Sequence, residues 1–270
     1  MEYVTSDQTR LPALGLGTYR LRGETCTKTV SRALEMGYRH IDTAEYYDNQ
    51  AAIGKALADT DVDRDDIFLT TKVWRTNLAH DDVLQSARQS LERLGLDAVD
   101  LLLIHWPSRS VPLAETIDAM NELQAAGAVA HIGVSNFSVD QLERARERSE
   151  TPILTNQIEY NPYTDQADVL EYCIENDVVL TAYSPLAKGK VSDDEMLAEI
   201  AERHGKTPAQ VALRWLLQQE QVAAIPKASS PAHLRANLDV FDFELTDEEM
   251  TEIFDRQEGL PTRLRRALGL

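Results

Sequence analysis

One pattern constrains this chain more than any other. A short apolar run is followed by a helix-period segment, and the pair repeats eight times from end to end. The runs fall at 14–16, 39–42, 67–72, 99–105, 130–134, 154–158, 178–182 and 222–225. Helical patterns follow them at 24–36, 49–58, 81–94, 113–126, 139–148, 165–176, 193–204 with 208–218, and 232–238. Strand–helix alternation implies a parallel sheet with helices packed against it. Eight units in 270 residues, near the roughly 250 typical of such a fold, favour a closed barrel over an open doubly wound sheet. The expected class is therefore α/β, a (β/α)8 TIM barrel forming a single domain over 1–270. A C-terminal helix at 247–254 and an Arg-rich tail (Arg263, Arg265, Arg266) are expected over or beside the barrel mouth.

Local signals agree with these breaks. Gly37, Gly95 and Gly127 stand just past predicted helix ends, and Thr207-Pro208 reads as a capped helix start with proline in the first turn. The residues before Leu14 are expected to form a small hairpin closing the lower end of the barrel.

Composition excludes several function classes. The net charge is −18, from 45 acidic against 27 basic residues, a balance that repels nucleic acid and anionic membranes. Lysine is scarce, occurring only as Lys28, Lys55, Lys72, Lys188, Lys190, Lys206 and Lys227. An acid-rich, lysine-poor surface resembles that of proteins from salt-loving organisms, so added salt is expected to stabilise the fold. The first ten residues lack the sections of a secretory signal, and no apolar stretch approaches the roughly 18 residues of a membrane span. A cytoplasmic, monomeric protein is expected. Cys26 and Cys173 are too few and too far apart for a disulfide framework and read as buried thiols.

Reactive residues sit where a barrel would gather them. Asp42 in GYRHIDTAEYYDN, Tyr47 just beyond it, Lys72 in IFLTTKVW and His105 in DLLLIHWP each lie at or just past the end of a predicted strand. Strand C-termini open on one face of a barrel, which is where active sites lie. A nearby ammonium favours a phenolate, so Lys72 is expected to lower the Tyr47 pKa, with Asp42 keeping Lys72 charged. His105 then orients a carbonyl or shares the proton. Each residue also has an ordinary reading: Asp42 as a turn cap, Tyr47 as packing with Tyr46 an equal candidate, Lys72 as a solvated strand end, His105 as a core histidine. Their joint placement is what argues for a site.

The glycine pair in Gly15-Leu16-Gly17 lacks the third glycine and the downstream acid of a Rossmann fingerprint. An anion site is more visible after the eighth run. There Ile225-Pro226-Lys227 leads through Ala228-Ser229-Ser230-Pro231 into a helix whose first turn, with Ser230 as cap, attracts negative charge. An ordinary capped helix is the alternative.

The ordered segments GYRHIDTAEYY, TKVW, LLLIHWP, IGVSNF, NQIEYNP, AYSPL and IPKASS resemble those of the aldo-keto reductases, over nearly the whole chain. The similarity is to bacterial-type, short-loop members that reduce small dicarbonyls and keto sugars, among them 2,5-diketo-gluconate reductases. It implies a catalytic set of Asp42, Tyr47, Lys72 and His105, and it selects Tyr47 over Tyr46. It implies NADPH or NADH bound across the barrel mouth: Tyr183 stacked on the nicotinamide, Ser135, Asn136 and Gln157 at its carboxamide, and Gly17, Thr18 and Asp42 nearby. Ser184 and Leu186 would flank the pyrophosphate. Lys227, Ala228, Ser229 and His233 would lie near the adenosine phosphate, with Asn237 at the adenine. Tyr19, Trp74, His105 and Trp106 would line the pocket for a small carbonyl substrate. No metal is implied.

Four departures from the family pattern stand out. Ala228 replaces a serine, and His233 replaces the arginine that grips a 2′-phosphate. Since imidazole lacks the two-pronged fork of guanidinium, strict NADPH preference is not expected. The 108–113 segment is short, so an open pocket is expected. Asp48-Asn49-Gln50 replaces Gly-Asn-Glu, a change expected to alter helix capping. Two other functions fit parts of the sequence: a non-catalytic cofactor-binding subunit, and a Schiff-base aldolase using Lys72.

Overall fold

A computed structural model of the protein describes residues 2–256. Strands β1 (Tyr3–Ser6) and β2 (Thr9–Pro12) form an antiparallel hairpin. Its tip is held by Ser6 Oγ donating to the Asp177 carbonyl (2.5 Å), and Gln221 Nε2 donates to the Thr5 carbonyl (3.3 Å). Asp177 and Gln221 lie just before the barrel strands that begin at Val179 and Val222, so the hairpin plugs the N-terminal end of the barrel, as expected.

Eight parallel strands follow: β3 (Leu16–Gly17), β4 (His40–Asp42), β5 (Phe68–Val73), β6 (Val99–Ile104), β7 (Val129–Ser135), β8 (Ile153–Glu159), β9 (Val179–Tyr183) and β10 (Val222–Ala224). Each pairs with the next in sequence. The circle closes through a parallel bridge between Leu14 and Ala224, with Gly15 N–H donating to the Ala224 carbonyl (2.8 Å) and Gly17 N–H to the Pro226 carbonyl (3.1 Å). The Gly15/Gly17 pair explains this seam. A Cβ at position 17 would lie 2.6 Å from the Ile225 carbonyl oxygen, and one at position 15 would lie 2.6 Å from His40 Nδ1. These glycines thus permit close backbone approach at barrel closure.

The helices lie outside the barrel: α1 (Gly23–Met36), α2 (Gln50–Ala58), α3 (His80–Leu94), α4 (Leu113–Ala125), α5 (Val139–Arg148), α6 (Ala167–Glu175), α7 (Glu195–His204), α8 (Pro208–Leu217), α9 (Pro231–Leu238) and α10 (Asp247–Asp255). Their starts follow the chemistry of the sequence. Thr207 and Gln210 form a capping box ahead of Pro208, and Ser230 Oγ accepts the His233 N–H ahead of Pro231. Their ends do too: Gly37 and Gly95 take left-handed φ of 105° and 69°.

The main core lies between sheet and helices, and burying each of its Val, Leu and Ile side chains contributes about 1.5–3 kcal/mol. The C-terminal helix α10 packs beside the barrel on α8, with Phe254 and Trp215 edge-to-face at 4.9 Å. Cys26 and Cys173 are buried free thiols, as expected. Among the described residues no helix is long and apolar enough to cross a membrane. The Arg263, Arg265 and Arg266 tail lies outside the described residues.

Candidate active site

The parallel topology brings the ends of β4, β5 and β6 side by side, and four side chains far apart in sequence converge there. Asp42 ends β4. Tyr47 ends the 3-10 turn Glu45–Tyr47 that follows. Lys72 is the penultimate residue of β5, and His105 directly follows β6. Lys72 is fully buried. Its Nζ donates to Asp42 Oδ1 (2.6 Å), to the Thr43 carbonyl (2.9 Å) and to Tyr47 Oη (3.3 Å). Three acceptors match the three N–H bonds of an ammonium, which compensates the cost of removing the charge from water. The His105 and Tyr47 rings meet edge-to-face at 5.6 Å.

Electrostatics here correct one expectation. The Tyr47 phenol is held well above its ordinary value, not below it. Burial is the main cause, followed by the Asp42 carboxylate and the neighbouring Tyr183 and Tyr19 hydroxyls. The Lys72 charge is largely spent on Asp42, so desolvation of the phenolate dominates. Burial likewise lowers Lys72, opposed by the Asp42 charge and hydrogen bond. Burial, helped by the Lys72 charge, pushes His105 down to about 3, so its imidazole is neutral at working pH. That favours the orienting role for His105 over proton sharing.

The residues expected around a nicotinamide form one bonded network. Gln157 Nε2 donates to Asp42 Oδ2 (2.7 Å), and Ser135 Oγ donates to the Gln157 carbonyl (2.7 Å). Asn136 Nδ2 donates to the His105 carbonyl and to Ser135 Oγ, both at 3.0 Å, while Tyr183 Oη donates to Asn136 Oδ1 (2.8 Å). Burial, reinforced by Glu159, pushes the Tyr183 phenol up to about 12, so it serves as a neutral donor. Thr18 Oγ1 donates to the Asp42 carbonyl (2.9 Å), which draws the end of β3 into the same assembly.

Beyond this network the predicted set spreads along the mouth. Ser184 takes a left-handed φ of 49°, and Leu186 packs against the core. Lys227, Ser229 and His233 are exposed, while Ala228 is buried. Asn237 is buried on α9 beside the Tyr38 hydroxyl, which itself donates to the Leu234 carbonyl (3.0 Å). At one end of this row lie amides and a half-buried tyrosine ring; at the other lie a lysine and the first turn of α9. That donor set fits an extended nicotinamide dinucleotide.

The aromatic residues divide. Tyr19 packs on Tyr47 (5.1 Å) and Trp74 on His105 (4.9 Å), whereas Trp106 makes no ring contact among the described residues and is 41% exposed.

Three contributions were not visible in the sequence. Tyr46 stacks on Trp74, with centroids 4.0 Å apart and planes 15° from parallel, and so belongs to the pocket wall. Glu45 accepts from the Trp74 backbone N–H, Ser86 Oγ and Asn77 Nδ2, tying the Tyr47 turn to the loop after β5. Asn49, common to this chain and the family pattern, does something other than cap its helix. It occupies the N-cap position of α2 but makes no side-chain cap. Instead its Nδ2 donates to the Thr18 and Leu21 carbonyls and its Oδ1 accepts from Thr43 Oγ1, clamping the loops after β3 and β4 together. Asp48, which stands where the family has glycine, is left-handed at φ 53°. An i, i+3 capping signal cannot reveal such long-range partners.

Comparison with known proteins agrees with this arrangement. The model of the aldo/keto reductase family matches residues 13–256. The chain is 40% identical over 246 residues to the methylglyoxal reductase DkgB of Escherichia coli O157:H7, covering 90% of this chain and 92% of that protein. It is 40% identical over 244 residues to the glyoxal reductase of Bacillus subtilis strain 168, covering 90% and 88% of the two chains. The crystal structure of a putative 2,5-diketo-D-gluconic acid reductase B superposes with a TM-score of 0.93 at 47% identity, over 95% of this chain and 92% of that one. With its (β/α)8 barrel and these relatives, the chain belongs to the aldo/keto reductase family of NAD(P)H-dependent oxidoreductases.

Proposed function

We propose that the protein reduces the carbonyl of a small aldehyde, ketone or keto sugar, with Tyr47 as the proton donor. The observation that carries this reading is the buried Lys72 ammonium bonded at once to Asp42 and to the Tyr47 hydroxyl. The chemistry that a dihydronicotinamide would supply when held beside Asn136 and Tyr183 is a hydride for the carbonyl carbon. As charge grows on the carbonyl oxygen, Tyr47 Oη gives up its proton to it, and the resulting phenolate is stabilised by the adjacent Lys72 N–H. Asp42 keeps Lys72 protonated, and Gln157 holds the second Asp42 oxygen. Neutral His105 orients the carbonyl. A high phenol pKa suits this direction, because the donor stays protonated until the alkoxide forms.

Ser135, Asn136, Gln157 and Tyr183 would hold the nicotinamide end of the cofactor, and Lys227, Ser229 and the α9 first turn the adenosine phosphate. His233 is exposed on the first turn of α9, and its imidazole lacks the two-pronged fork of a guanidinium, which supports a weakened grip on a 2′-phosphate and real use of NADH. A Schiff-base role for Lys72 is disfavoured by its full burial and three acceptors.

Tyr47→Phe tests the assignment. Turnover of methylglyoxal and small keto sugars should fall about a hundredfold or more, with cofactor binding retained. Near-normal turnover in this variant would mean the proton comes from elsewhere.

A further inference from the structure

The Tyr47 hydroxyl is held loosely by its own bonds. Among the described residues its side chain makes one hydrogen bond, accepted from Lys72 Nζ at 3.3 Å. Its backbone N–H closes the 3-10 turn on the Ala44 carbonyl at 3.0 Å. The place of the proposed proton donor is therefore set by what anchors that turn. On the side facing β3, Asn49 clamps the neighbouring loops. On the side facing β5, the anchor is the carboxylate of Glu45, the first residue of the turn that ends in Tyr47.

Glu45 Oε1 accepts the Trp74 backbone N–H and Asn77 Nδ2 (3.1 Å), and its Oε2 accepts Ser86 Oγ from the buried face of α3. The Asn77 N–H donates to the Trp74 carbonyl (2.9 Å), so Trp74 and Asn77 are the two ends of one tight turn, which the carboxylate closes. No cation bonds to Glu45 among the described residues, and three neutral donors meet its charge. Hydrogen bonds to an ionised acceptor are about twice as strong as those between neutral groups. Two of these donors belong to the turn that continues the Lys72 strand, and the third belongs to the helix behind it. Trp74 in turn packs on Tyr46 (4.0 Å) and on His105 (4.9 Å). One carboxylate thus locks together the donor's turn, the pocket wall and the neighbour of the orienting imidazole.

Resting on the reductase reading above, we infer that Glu45 is a positioning residue for the proton transfer. It exchanges no proton with the substrate; it keeps Tyr47 Oη beside Lys72 Nζ and, through Trp74, keeps the pocket wall in place. A misplacement of about 1 Å can slow a reaction about a hundredfold. The effect of Glu45 therefore resides in the chemical step and, through Trp74, in KM, while cofactor affinity is unchanged.

The test is a double-variant cycle in the full-length protein, read as single-turnover reduction of methylglyoxal by NADH or NADPH. Glu45→Ala should slow the chemical step by about ten- to a hundredfold and leave the cofactor Kd unchanged. Glu45→Gln, which keeps an acceptor for the Trp74 N–H and a partner for the Ser86 hydroxyl, should restore most of the rate. In a Tyr47→Phe background Glu45→Ala should cost less than about twofold, because an absent donor cannot be misplaced. In the protein without cofactor, amide hydrogen exchange at Trp74 should quicken about tenfold in Glu45→Ala and stay near wild type in Glu45→Gln. Should Glu45→Ala fail to fold, Ser86→Ala carries the cycle: it removes one donor and should slow the step about threefold, again only where Tyr47 is present. An unchanged rate, unchanged Trp74 protection, or an equal loss in both backgrounds overturns the inference and leaves the reductase reading intact. Near-normal turnover by Tyr47→Phe alone removes the proton-donor reading and the inference with it.

Discussion

The two ends of the barrel mouth are built differently. Around Asp42, buried amides and hydroxyls from β3, β4, β5, β7, β8 and β9 bond one another, so moving one residue disturbs several strands. Around α9, Lys227, Ser229 and His233 stand exposed on a loop and a helix end. The difference teaches where change is tolerated. A buried polar network admits few substitutions, because each orphaned donor or acceptor costs about 1–3 kcal/mol. An exposed helix turn can exchange arginine for histidine without orphaning a buried partner.

The contrast can be broken most sharply at Lys72. Lys72→Met should lower turnover about as much as loss of the tyrosine hydroxyl, by 10²–10⁴-fold, and reshape the pH profile. It also strands the buried Asp42 charge, costing about 3–5 kcal/mol of stability. Adding Asp42→Asn should recover much of that stability without recovering activity. If the double variant regains turnover, the pair has only a structural role.

A smaller change is expected at the exposed end. His233→Arg should raise kcat/KM with NADPH by about tenfold, with little effect on NADH or on folding. A wild-type preference for NADPH of about a thousandfold or more would refute the weakened-grip argument.

Buried histidines sharpen the comparison through pH. Burial lowers His40 to about 4 and His105 to about 3, from about 6.5 in an unfolded chain. Between those values the unfolded chain binds more protons. Their contribution to stability is therefore intact above pH 6.5 and falls as the medium is acidified, by up to about 1.4 kcal/mol per pH unit for each histidine. His80, raised mainly by its hydrogen bond to Asp81, acts in the opposite sense but is exposed. Unfolding midpoints should drop between pH 7 and 5.5, while kcat/KM shows no histidine limb there. A limb near pH 6.5 would return proton sharing to His105.

The gentlest expected effect is that of salt. The −18 charge should make the melting temperature rise with ionic strength as self-repulsion is screened. A flat curve up to molar salt would reject that reading.

Much of this molecule is legible along the chain, because its signals are local. Short apolar runs, helical periodicity, Gly37 and Gly95 past helix ends and Thr207-Pro208 at a helix start each act within a few residues, and together they specify alternating strands and helices. The strand-end positions of Asp42, Lys72 and His105 follow from the same pattern. What only the tertiary structure decided is every property that depends on distant neighbours: Tyr46 on Trp74, Glu45 beneath the Trp74 N–H, Asn49 between two loops, Gln157 on Asp42. The direction of the Tyr47 shift belongs here too. Sequence shows that an ammonium can lie near the phenol, but only burial shows that Asp42 has already claimed that charge, leaving desolvation to dominate the balance.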